Sequence, residues 1–65
     1  MIEVTRLNGV RFTINCDLIE TVEETPDTVI TLTNGKKFVV SENMEQIKSL
    51  VIDFKKQIFY NKIWY

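Results

Sequence analysis

The stretches Leu7-Asn8-Gly9-Val10-Arg11-Phe12-Thr13-Ile14-Asn15 and Thr33-Asn34-Gly35-Lys36-Lys37-Phe38-Val39-Val40-Ser41 each place an Asn-Gly pair between strand-like segments, and their reading decides the fold. A two-residue hairpin loop needs positive φ at its central positions, which asparagine tolerates and glycine adopts without steric penalty. Both stretches are therefore expected to be tight hairpins. Aligned on the turn, they match Phe12 with Phe38, Ile14 with Val40 and Asn15 with Ser41. A single duplication points to reuse of hairpin chemistry, because a solenoid needs three or more repeats. A chain spent on hairpins and one helix has little left for a catalytic site, so the residues point to a small binding or assembly module.

Outward from these turns the period is two. Ile2 and Val4 alternate with Glu3 and Thr5, and Val10, Phe12 and Ile14 alternate with Arg11, Thr13 and Asn15, the pattern of half-buried strands. Asn15-Cys16-Asp17-Leu18-Ile19 breaks the alternation and predicts a corner or single helical turn before a third strand at Glu20 to Glu24. Thr25-Pro26-Asp27-Thr28 reads as a type I turn, with strands at Val29 to Thr33 and Lys36 to Val40 completing a set of five. The fold class expected is mainly β with one α-helix: a five-stranded curved antiparallel sheet or small open barrel plus a C-terminal helix. The whole chain, 1–65, forms one domain, with antiparallel hairpins over 1–40, the helix over 42–58 and an aromatic tail over 59–65.

From Ser41 the period changes. Met44, Ile47, Val51, Phe54 and Ile58 recur at intervals of three and four, with Leu50 widening the stripe as for a helix lying on a sheet. Ser41 is the expected N-cap, while Glu42 and Glu45 near the start and Lys55 and Lys56 late in the segment suit the helix dipole.

With 65 residues the chain is near the lower limit for a single core, where staples or self-association usually help. One cysteine and no histidine leave neither an internal disulfide nor a zinc ligand set, so no cofactor or metal is expected and a homo-oligomer is. Eight basic and nine acidic residues argue against general attraction to nucleic acid. The apolar runs fall far short of the roughly 20 residues of a membrane span, and the start does not read as a signal peptide. The reading is cytoplasmic.

Few residues point to chemistry. Glu23 and Glu24 are adjacent and face opposite ways in a strand, and Asp17, Glu20 and Asp27 lack calcium-loop spacing. Cys16 has no histidine as base, so a buried or corner role is expected and the chain is read as non-enzymatic. Arg6 and Arg11 around the first turn and Lys36 and Lys37 after the second are candidates for charged steering of a partner, although lysine on edge strands also guards against aggregation. Ile58-Phe59-Tyr60-Asn61-Lys62-Ile63-Trp64-Tyr65 holds four of the seven aromatics. Its residues Phe59, Trp64 and Tyr65 are the candidate apolar anchors. Three readings stand open for this tail: a subunit interface, an intramolecular lid, or contact with a foreign partner or a membrane interface where Lys62 snorkels.

The opening Val4-Thr5-Arg6-Leu7-Asn8-Gly9, the Asp17-Leu18-Ile19-Glu20 segment and the run Glu24-Thr25-Pro26-Asp27-Thr28-Val29-Ile30-Thr31-Leu32-Thr33-Asn34-Gly35-Lys36 resemble the small flagellar FlbD/SwrD family to about Ile58. The resemblance implies a bacterial protein supporting flagellar and swarming motility, in a family associated with motor power; the expectation drawn from it for this chain is interaction with flagellar motor or stator proteins at the inner face of the membrane. It implies no enzyme activity or cofactor, and it transfers no site residue. The rival from another class is a small nucleic-acid-binding regulator, which would bind with a steep salt dependence.

Overall fold

A computed structural model of the chain describes the backbone of residues 1–62 and the side chains of residues 1–57. Alternating apolar residues produce five antiparallel strands: β1 (Ile2–Thr5), β2 (Arg11–Ile14), β3 (Ile19–Glu24), β4 (Thr28–Leu32) and β5 (Lys37–Val40). A 3-10 turn, Cys16–Leu18, separates β2 from β3, and one helix, α1 (Met44–Lys62), follows β5. The corner at Cys16 lies where the alternation breaks, and Asn15 caps it by accepting the Asp17 amide at 3.0 Å.

Both Asn-Gly hairpins close with three-residue loops, correcting the two-residue expectation. Gly9 N–H donates to the Arg6 carbonyl at 2.9 Å and Arg6 N–H to the Val10 carbonyl at 2.8 Å. Gly35 N–H to Leu32 and Leu32 N–H to Lys36 repeat the pair at 2.9 and 2.8 Å. Among the described residues positive φ occurs at Gly9 (90°) and Gly35 (87°) alone. This is a type I turn followed by a left-handed glycine bulge, so glycine supplies the unusual backbone and asparagine does not. Each asparagine instead uses its side-chain oxygen, accepting the amide of Val10 or Lys36 at 3.0 Å. The Pro26 corner also differs from a type I turn, with Thr25 N–H donating to the Asp27 carbonyl at 3.3 Å.

The strands form two sheets, β1-β2 and β3-β4-β5, which corrects the expected single five-stranded sheet or open barrel. Two local features keep them apart. The 3-10 turn leads the chain away from β2 before β3 begins, and β5 meets the first hairpin at one bridge, Arg6 with Val40. Beyond that bridge Ser41 N–H reaches the Thr5 carbonyl at 2.8 Å, but the Thr5 amide is taken by the Glu42 side chain, also at 2.8 Å, so the ladder stops. Apolar faces of both sheets close on one core of Ile2, Val4, Ile14, Ile30, Leu32 and Val40, with Cys16 buried at its edge.

α1 lies across this core through Ile47, which is 2% exposed, supported by Leu50, Val51 and Phe54. Ile47, Leu50, Val51 and Phe54 of the expected stripe therefore face the sheets, while the Ile58 side chain lies outside the described residues. Its cap is Asn43, correcting Ser41: Asn43 Oδ1 accepts the Gln46 amide and Gln46 Oε1 accepts the Asn43 amide, both at 2.8 Å. This reciprocal pair is a capping box, and it leaves the Ser41 hydroxyl to donate to the Thr5 carbonyl at 3.3 Å. The helix continues past Ile58 to Lys62, so Lys55 and Lys56 lie within it rather than at its last turn.

Candidate partner-docking site

An antiparallel bridge joins Arg6, just before the first turn, to Val40, at the end of the strand that leaves the second turn. That polarity puts both hairpin tips at one end of the molecule. Arg6, Leu7, Asn8 and Val10 thus share an end with Asn34, Lys36 and Lys37.

Arg6 holds this end together. Its guanidinium carbon sits 4.2 Å from the Phe12 ring centroid and 5.7 Å from that of Phe38, and the two rings are 5.4 Å apart at an interplanar angle of 45°. Phe12 and Phe38, matched by the sequence duplication, meet across the two sheets under one cation. Cation–π attraction and ring contact together tie the separate sheets where backbone pairing is a single bridge. Arg6 is thereby drawn from free steering into structural support. Because the rings are half-buried beneath it, they do not form an open stacking platform for nucleic-acid bases. Arg6→Ala is expected to destabilise the fold by roughly 0.5–1 kcal/mol, whereas Lys37→Ala should lie within about 0.5 kcal/mol of the parent; urea denaturation of both variants checks the contrast.

The other predicted residues have different surroundings. Arg11 projects on the outer face of β2 and pairs with Glu3 across the hairpin at 3.2 Å. Lys36 and Lys37 are exposed, Lys37 opposite Thr31 at the start of β5. Phe59 belongs to α1 with its side chain outside the described residues, and Trp64 and Tyr65 lie wholly outside them. The exposed apolar members of the tip end escaped the sequence reading: Leu7 is 58% exposed, Val10 53% and Val39 42%. Leu7 follows Arg6 and Val39 precedes Val40, so both fall on the face opposite the core. The duplicated pattern gives Val39 the parity of Thr13, a solvent-facing position, which was the available signal.

A concavity of about 530 Å³ runs between the outer face of the first hairpin and α1, lined by Glu3, Arg11, Glu42, Glu45 and Asp53 among others. Burial alone would raise the Glu42 carboxyl, but hydrogen bonding from Thr5 and the nearby Arg11 charge outweigh it and hold the group below the ordinary carboxylate value. On the other side of the helix Lys55 Nζ donates to Asp17 at 2.7 Å, and that hydrogen bond raises the lysine above its usual value.

The family model for flagellar and swarming motility proteins, FlbD, matches residues 1–59. This chain belongs to the FlbD family. The match takes in all five strands and most of α1, while Tyr60 to Tyr65 fall beyond it. No curated protein and no solved structure matches the chain. In this FlbD member no helix among the described residues is long and apolar enough to cross a membrane.

Proposed function

We propose that this FlbD-family chain is a non-enzymatic, cytoplasmic protein-protein interaction module that supports flagellar motility by altering motor or stator output. The family supplies the process, and the hairpin-tip end supports the means. There Leu7 and Val39 expose apolar surface on one face, and Lys36 and Lys37 stand beside the second turn to steer an acidic partner. An apolar centre with a charged rim is the anatomy of a docking patch. Self-association through α1 and the aromatic end, anchored by Phe59, Trp64 and Tyr65, belongs to the same proposal. Light scattering of the intact chain and of one truncated after Ile58 reads that part, a fall in mass being the expected result.

The tip is tested in cells carrying Leu7→Ser/Val39→Ser or Lys36→Ala/Lys37→Ala in place of the parent chain. Swarm expansion and the torque of tethered cells should fall while protein level and helical circular dichroism stay unchanged, because exposed substitutions seldom move stability by more than about 0.5 kcal/mol. Parental motility in both variants would remove the tip from the reading.

A further inference from the structure

We propose that the solvent-facing stripe of α1 seats on an anionic lipid surface. At 100° per residue, Lys48, Ile52 and Lys55 fall on one line of the helix, flanked by Val51 and Lys56. Cationic and apolar residues alternate along it over roughly 10 Å, the length of seven helical steps. Ile52 is 53% exposed, and with Val51, Lys55 and Lys56 it forms a shallow apolar depression between lysine stems. Such a face suits a headgroup layer, where side-chain stems and apolar groups sink and ammonium groups meet phosphates.

Charge is divided along the chain in a way that orients this contact. Residues 1–52 carry five basic and eight acidic side chains, whereas residues 53–65 carry Lys55, Lys56 and Lys62 against Asp53 alone. The acidic body is repelled from an anionic surface and the distal helix is drawn to it. Two of its lysines pair with carboxylates: Lys48 with Glu45 at 3.5 Å and Lys55 with Asp17 at 2.7 Å. Both pairs are exposed, with side chains more than half accessible, so lipid phosphate replaces the carboxylate at little cost. A second copy seated symmetrically on this face would set Lys48, Lys55 and Lys56 against their own counterparts. The stripe therefore favours a negative surface over itself, and the proposed self-association uses the aromatic end and the exposed positions of α1 outside this stripe.

Flotation of the full chain with vesicles decides the matter, independently of motility. Binding is expected to vesicles of phosphatidylcholine with phosphatidylglycerol, to be weak on phosphatidylcholine alone, and to fall as salt is raised. Lys55→Glu/Lys56→Glu should weaken it by about thirtyfold or more, and Ile52→Ser by about tenfold, with circular dichroism confirming that the variants fold. No binding to the anionic vesicles, equal binding to both compositions, or undiminished binding by the charge-reversed variant would each overturn the proposal. Capture of an acidic protein without vesicle binding would do the same and assign the stripe to that partner.

Discussion

Replacing Ile47 with alanine is expected to cost roughly 3 kcal/mol, the largest effect of any single truncation among the α1 residues with described side chains. Ile47 is 2% exposed and inserts into the core shared by both sheets, where removal of three carbons leaves a cavity that flanking Leu50, Val51 and Phe54 cannot collapse into without leaving their own contacts. A chain of this size has a total stability of roughly 3–10 kcal/mol, so the loss is a large share of the whole. The thermal midpoint should fall by about 12–24 °C. Ile52→Ala, five positions along the same helix and exposed, should leave the midpoint nearly unchanged. Thermal and urea unfolding followed by circular dichroism check the pair. Equal effects at the two positions would mean that α1 is not seated on the core as described.

The same two residues show how much a linear reading reaches. Period-three-and-four spacing identifies Ile47 as inward without any coordinates, because the stripe is a local property of the helix. Alternation does the same for Val4, Ile14, Ile30 and Val40, which are all buried. What the pattern does not encode is which strand edges meet. Where the β1–β5 pairing stops, the Glu42 carboxylate occupies the Thr5 amide, 37 residues distant, and no periodicity carries that contact. The Asn-Gly loops were legible as turns but not as three-residue turns, since both geometries place glycine at a left-handed position. The cap is legible too: Asn43-Met44-Glu45-Gln46 has the polar-x-x-Gln spacing of a capping box, two residues beyond Ser41.

For the docking site the basic residues were found and their roles were not. Arg6 was readable as a tip cation, yet its place over Phe12 and Phe38 arises where two hairpins distant in sequence converge. The duplication had already matched the two phenylalanines by their offset from the turn. Convergence of matched positions is a tertiary consequence of one bridge, Arg6 with Val40, and this bridge also brings the exposed Leu7 and Val39 to a common face. A single long-range pairing thus creates both the support and the surface.

That pairing ends at Glu42, so Glu42→Ala is expected to destabilise the fold by about 2 kcal/mol, the cost of losing a charge-assisted bond and leaving the Thr5 amide without its acceptor. Glu42→Gln keeps an acceptor and should lose only about 1 kcal/mol. The pH dependence separates charge from shape. Burial raises the carboxyl, but the Thr5 hydrogen bonds and Arg11 prevail, so its folded value lies below the ordinary 4.5. A carboxylate with a depressed folded value binds fewer protons in the native state than in the unfolded one. Its contribution is therefore complete above about pH 4.5 and disappears as pH falls through the lower folded value. Urea midpoints measured from neutral pH down through this window should converge for the parent and Glu42→Gln at the acid end and separate above it. Parallel curves would show that the charge on Glu42 contributes nothing, leaving the Thr5 contact as neutral hydrogen bonding and the β1–β5 junction as stable in its protonated form as in its ionised one.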